Sequence, residues 1–284
     1  MNAEYNTSLF NKYNRFRESE LKTIFSKYNY LLKWTPNAAI LDVGCGTGDI
    51  SLMFIYSIIP KDYKCFVCTD ISAKMLQEAE KKFEGKPRVF FKLLDITKDL
   101  KETYTYDHIF SMWCLMWVED QKKAFKNIYD LLAPGGKTFH VLIQKLNVVQ
   151  LFLQIVTRNK WMKFFPNVDK MYPFPYQNDL DPVKRIRTMM EDIGYVNVEV
   201  YLEKNTFAFA NEEEFVGFLR ALPNPFHVMS AKEQEDILRE AIELAFANNV
   251  ITESESRVES TSKTILPYFI PVRHNVIIIS FRDK

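Results

Sequence analysis

The sequence predicts an α/β fold, a doubly wound, mostly parallel sheet of seven strands with helical cap insertions. Short apolar runs alternate with segments of helical spacing. Three glycines at alternate positions, Gly44, Gly46 and Gly48, follow the first run directly. Acids close the next two runs at Asp70 and Asp95.

Residues 18–33 place Leu21, Ile24, Phe25, Tyr28, Leu31 and Leu32 on one face of a helix that ends before Pro36. Residues 38–43 have the unbroken apolar pattern of a buried parallel strand, and 49–58 read as the helix after the glycines. Strand 65–69, helix 72–83, strand 88–93, strand 107–112, helix 119–132 and strand 137–143 continue the alternation. A helix over 182–193 leads through Gly194 into strand 196–202, and 274–281 supplies the seventh strand. Two stretches break the repeat: 145–181, rich in aromatics and proline, and 205–272, mostly helical in pattern.

Charge and composition remove several classes of function. Lys and Arg number 37 against 36 Asp and Glu, so no basic excess exists to draw in a polyanion, and nucleic acid is not an expected partner. The apolar stretch 146–156 is too short to span a bilayer, which argues against membrane insertion. Residues 1–17 lack the apolar core of a secretory signal, so a cytoplasmic location is expected. Four irregularly spaced cysteines do not make a disulfide framework. The Cys65-Phe66-Val67-Cys68 pair has no second pair to complete a zinc site, so no metal is expected.

The run Asp42-Val43-Gly44-Cys45-Gly46-Thr47-Gly48 carries the ligand argument. Glycines there let the backbone turn tightly and approach a ligand just before a helix N-terminus. The spacing departs from the GxGxxG of dinucleotide sites, which disfavours NAD. Asp42 stands where a carboxylate can receive the α-amino cation of S-adenosylmethionine, a group NAD lacks. Asp70, about 20 residues on, can accept the ribose hydroxyls, with Ile71 facing adenine. Asp95 can accept the adenine amine and Ile96 flank the ring. Cys45, Met75 and Trp113 complete the expected cofactor contacts. Asp70 and Asp95 also have a plainer reading as helix N-caps.

In order and placement at strand ends, with Leu131-Leu132-Ala133-Pro134-Gly135-Gly136-Lys137 turning into the fifth strand, these motifs resemble class I methyltransferases of Rossmann-like fold. The segments Cys114-Leu115-Met116-Trp117-Val118, Asn159-Lys160-Trp161, Asp181-Pro182-Val183 and Asn224-Pro225-Phe226 further resemble the insect juvenile hormone acid O-methyltransferases and the related farnesoic acid methyltransferases. The resemblance implies methyl transfer to the carboxylate of a sesquiterpenoid acid, giving a methyl ester and S-adenosylhomocysteine. It implies catalytic roles for Trp117, whose indole N–H can hold the carboxylate, and for Arg17. It also implies substrate contacts from Trp117, Gln144, Trp161 and Phe226. Arg17 and Met116 stand where the family has glutamine and histidine. Arg17 can grip a carboxylate in bidentate fashion or be a solvated charge.

The domain organisation implied is one methyltransferase domain over 1–284. It comprises an N-terminal helical cap at 1–35, a cofactor-binding core at 38–144 and substrate caps at 145–181 and 205–272. Partners are a small apolar acid and, as an open assembly, a homodimer. Two other functions stay open: a non-catalytic sesquiterpenoid- or cofactor-binding paralogue, and a methyltransferase for another small apolar acid, phenol or amine.

Overall fold

The computed structural model describes residues 7–13, 16–101, 104–209, 211–248 and 270–282. In chain order, α1 (Thr7–Tyr13) and α2 (Phe16–Tyr28) precede β1 (Ala39–Val43), and a π-helical turn (Ser51–Ile55) runs into α3 (Tyr56–Ile58). Then come β2 (Cys65–Asp70), α4 (Ala73–Lys82), β3 (Val89–Leu93), β4 (Tyr106–Met112), α5 (Gln121–Leu131) and β5 (Leu132–Leu146). The chain continues through α6 (Asn147–Val156), α7 (Asn159–Met162), α8 (Val168–Met171) and α9 (Pro182–Ile193). It closes with β6 (Glu199–Phe209), α10 (Glu212–Ala221), α11 (Ala231–Ala247) and β7 (Ile270–Arg282).

The strands lie in the order β3-β2-β1-β4-β5-β7-β6. β1 to β5 are mutually parallel, with Asp42 level with Cys68 on one side and Phe110 on the other. Because all five run the same way, their carboxyl ends meet along one sheet edge, where open α/β sheets bind ligands. β1 is central and buried along its whole length, which explains its unbroken apolar run. Capping fixes where the helices begin: Ser72 accepts from the Met75 N–H, Asp120 from Lys123 and Asp181 from Lys184. Pro182 opens α9 and Gly194, at φ +119°, closes it.

Contacts divide the chain into two compact units. The sheet unit takes in Arg17–Gln144, Pro173–Glu203 and Asn275–Lys284. Within it, Phe25 of α2 stacks on Phe54 and Phe139 at 5.9 and 5.6 Å, and Lys27 reaches Glu203 at 2.5 Å. The stretch 173–181, expected with the caps, falls in this unit: Gln144 donates to the Asp179 carbonyl at 3.1 Å and the Tyr176 hydroxyl to Gln121 at 3.1 Å. The N-terminal stretch from Arg17 onward, expected as cap, falls here too.

The second unit takes in Met1–Phe16, Lys145–Tyr172 and Lys204–His274. The ring of Tyr13 in α1 lies so near Gly217 of α10 that a Cβ there would come within 2.4 Å of it. Phe152 of α6 meets Phe165 and Tyr172 edge-on, and Glu240 of α11 binds the Trp161 indole N–H at 2.9 Å and Lys160 at 2.8 Å. Two expectations shift. The helix over 49–58 contains the π-turn, and β6 runs on to Phe209, so the helical part of 205–272 starts at Glu212.

Candidate cofactor and acceptor site

The site is built on the carboxyl ends of β1 to β4, within the sheet unit. After Val43 the chain must leave the sheet without rising above it. The N–H groups of Gly44 and Cys45 both donate to the Thr69 carbonyl at 2.8 Å, folding the loop back onto β2. Gly44 has φ +78°, and a Cβ on it would fall 2.1 Å from Cys114 Sγ, so only glycine lets the loop lie against the end of β4. Gly46, at φ +57°, has open space where its Cβ would point, as a loop that receives a ligand needs.

Two acids flank this loop in different ways. Asp42 is 2% exposed; its Oδ2 accepts from Ser51 Oγ at 2.5 Å, whereas Oδ1, equally buried, has no hydrogen-bonding partner among the described residues. Burial pushes its carboxyl up to about 7, against the Ser51 hydrogen bond and with help from the nearby Asp70 charge. A buried carboxylate oxygen without a donor is costly unless a cationic or N–H group meets it, and the α-ammonium of S-adenosylmethionine has that chemistry. Asp70 is instead tied to the backbone, its two oxygens accepting from Gly46 N–H at 2.9 Å and Ser72 N–H at 2.8 Å. Burial raises its carboxyl, and those N–H groups oppose the shift. It therefore shapes the loop, a role that sequence alone does not reveal.

Asp95 Oδ1 accepts from the Thr97 N–H at 2.9 Å and hydroxyl at 2.6 Å, closing a tight turn. Asn127 of α5 holds the same turn through the Ile96 and Lys98 carbonyls at 2.6 and 2.7 Å, which keeps Ile96 buried; Ile71 is 67% exposed. Met75 is buried on α4, and the Cys45 thiol is buried and raised by its Cys68 neighbour and by burial. Cys65 and Cys68 lie three apart in β2, on opposite faces of the strand, so they do not form a chelating pair.

Beyond β4 the chain is strained and then braced. Trp113 adopts φ +52°, with its N–H on the carbonyl of Val141 in β5 at 2.7 Å. The short 3₁₀ turn Leu115–Trp117 is clamped by Gln121 Nε2, which donates to the Leu115 and Val118 carbonyls at 2.8 and 2.7 Å. Trp117 is half-buried, and Phe174, itself at φ +32°, meets its ring edge-on at 5.1 Å. Gln121 and Phe174 are functional candidates that sequence reasoning misses; a glutamine at the start of a helix gives no signal of where its amide points. Met116 is buried within the same turn.

The remaining sequence candidates lie elsewhere. Gln144 is buried with its amide on the Asp179 carbonyl. Trp161 and Phe226 are in the second unit: Trp161 spends its indole N–H on Glu240, and Phe226 packs in the Asn224 turn, whose side chain accepts from its N–H. Arg17 lies in α2, but its side chain falls outside the described residues. Among the described residues no cluster of His, Cys, Asp and Glu could hold a metal ion, and no helix is long and apolar enough to cross a membrane.

A methyltransferase-domain family model matches residues 40–136, which include the glycine loop, Asp42, Asp70, Asp95, Trp113 and Trp117. The chain is a class I S-adenosylmethionine-dependent methyltransferase. This methyltransferase is 28% identical over 263 residues to the juvenile hormone acid O-methyltransferase of Bombyx mori, covering 88% of this chain and 92% of that one. It is 26% identical over 273 residues to the Drosophila melanogaster enzyme of the same name, covering 94% and 90%. Its fold matches the YcgJ protein of Bacillus subtilis, with TM-score 0.56, 12% identity, and 95% and 99% of the two chains covered. It also matches a Haemonchus contortus phosphoethanolamine N-methyltransferase 2 in complex with S-adenosyl-L-methionine, with TM-score 0.51, 15% identity, and 93% and 53% covered. At these identities the solved structures speak for the fold alone.

Proposed function

We propose that this methyltransferase esterifies the carboxylate of a sesquiterpenoid acid, farnesoic acid or juvenile hormone acid, yielding the methyl ester and S-adenosylhomocysteine. The observation that carries the acceptor is the similarity, along nearly the full chain, to two juvenile hormone acid O-methyltransferases. The reading takes the protein as cytosolic, in keeping with cysteines that form no disulfide among the described residues.

In this reading Asp42 Oδ1 receives the cofactor's α-ammonium and Asp70 the ribose hydroxyls. Asp95, Ile96 and Ile71 frame the adenine, with Cys45, Met75 and Trp113 around them. The orphaned Asp42 oxygen and the open face of Gly46 support this fit. Bound S-adenosylmethionine supplies an electrophilic methyl group on sulfonium. The acceptor needs no general base, because a carboxylic acid of pKa about 4 to 5 is ionised at neutral pH. What the protein must do is hold the acid and exclude water, and alignment of this kind lowers a barrier by roughly 7 to 11 kcal/mol. Trp117 is the residue suited to hold it. Phe174 fixes its ring from one side and Gln121 fixes its turn, and an indole N–H donates well to a carboxylate. Arg17 is a second candidate from the resemblance alone.

A substrate panel tests the acceptor. Steady-state methylation of farnesoic acid, a short polar acid, a phenol and an amine should rank farnesoic acid first by at least an order of magnitude in kcat/KM. Turnover confined to the phenol or amine would replace the carboxylate reading. Tight sesquiterpenoid binding with no turnover on any member would point to a binding protein.

A further inference from the structure

We propose that Ser51 is a positioning residue for the amino-acid end of the cofactor: its hydroxyl pins one oxygen of Asp42 so that the other faces the α-ammonium group. This rests on the assignment of Asp42 to that group. Ser51 is fully buried, and its Oγ donates to Asp42 Oδ2 at 2.5 Å. The Asp42 peptide is locked as well, since Thr69 Oγ1 donates to its carbonyl at 2.9 Å. With main chain and Oδ2 both held, the carboxylate cannot spin, and the direction of the partnerless Oδ1 is set.

Ser51 stands nine positions beyond Asp42, at the start of the helical segment that follows the glycine loop. Ser51 opens the π-helical turn, and the Leu52 N–H still bonds the Gly48 carbonyl at 2.9 Å. π-Turns are rare, cost stability relative to α-helix, and recur at functional sites. Among the described residues the ionisable groups that act on the Asp42 carboxylate are Asp70 and the thiols of Cys45, Cys68 and Cys114, none of them a cation. Ser51 is its side-chain donor among the described residues, so without that hydroxyl the carboxylate loses both its anchor and its aim.

The test compares two ligands by calorimetry: S-adenosylhomocysteine, and 5′-methylthioadenosine, which keeps the nucleoside thioether but lacks the amino-acid end. Ser51→Ala should weaken S-adenosylhomocysteine about tenfold, as loss of a hydrogen bond to a charged group does. It should leave methylthioadenosine within about twofold. Ser51→Thr should restore most of the loss, and Asp42→Asn should reproduce it. Equal weakening of both ligands by Ser51→Ala would mean a merely structural hydroxyl and overturn the proposal. Selective loss in Asp42→Asn but not in Ser51→Ala would overturn it while leaving Asp42 in place. No selective loss in Asp42→Asn would remove the Asp42 assignment itself. Thermal unfolding of each variant establishes that it is folded before titration.

Discussion

Lowering the pH from 7.5 to 6 should weaken the binding of S-adenosylhomocysteine about eightfold, and Asp42 is the reason. Its carboxyl, pushed up to about 7 by burial, is half protonated near neutrality in the ligand-free chain. A protonated acid has no charge to offer an ammonium group. If binding requires the carboxylate, the apparent Kd grows as the protonated fraction grows, from roughly a quarter at pH 7.5 to about nine-tenths at pH 6. The penalty is about 1.2 kcal/mol, and about 0.9 proton should leave the protein per ligand bound at pH 6 against about 0.5 at pH 7. Calorimetry in two buffers of different ionisation enthalpy reads both quantities. Asp70, also raised by burial, adds its own dependence at the same edge, so Asp42→Asn is the control: it should bind more weakly and flatten the profile. An unchanged Kd from pH 7.5 to 6 in the wild type, with no proton released, would refute the assignment. The sign for stability is opposite in the ligand-free protein. The folded chain holds a proton on Asp42 between about 4 and 7 that the unfolded chain has lost, so this group's contribution to stability falls as pH rises through that window.

Three more outcomes are expected. Trp117→Phe should lower kcat on the acid by at least tenfold while leaving the affinity for S-adenosylhomocysteine unchanged, and Phe174→Ala should lower kcat/KM on the acid more weakly, through a rise in KM; unaltered kinetics in both would exclude the indole. Gly44→Ala should lose cofactor binding and about 2 to 4 kcal/mol of stability from the clash with Cys114 and the positive φ, and Cys114→Gly in the same chain should return part of the stability as measured by urea unfolding. His140 is fully buried on β5 with neither ring nitrogen paired among the described residues, and burial pushes its imidazole down to about 3. The unfolded chain therefore takes up a proton below about pH 6.5 that the folded chain refuses, and stability present above that pH is lost as it falls. His140→Leu should reduce the slope of stability between pH 6.5 and 4.5 by up to about 1.4 kcal/mol per pH unit, and an unchanged slope would mean the ring finds a proton acceptor.

The parts of the molecule legible in the sequence are those set by local chemistry. Alternating glycines with positive φ, an apolar run buried on both faces, and acids at strand ends leave marks in a window of a few residues, and β1, the glycine loop and Asp70 lie where those marks put them. What escapes a sequence pattern depends on partners far along the chain. Trp161 finds Glu240 from 79 residues away, a tie between helices of the second unit that no local pattern records. Gln121 clamps the Trp117 turn and is itself held by Tyr176, 55 residues on, and no periodicity records where an amide side chain points. The π-turn at Ser51 is indistinguishable from ordinary helix in sequence because its residues have ordinary helical preference. Asp95, two residues past the end of β3, makes the local turn that a short polar residue before threonine favours, and the sequence does not separate that role from a ligand contact.

Transfer of a methyl group from S-adenosylmethionine onto an apolar carboxylate is open to direct measurement. Incubating the chain with methyl-labelled donor and farnesoic acid, then extracting into organic solvent, separates the ester from the donor. One labelled methyl farnesoate per S-adenosylhomocysteine formed is the predicted result; donor bound and intact, with no label extracted, would contradict it.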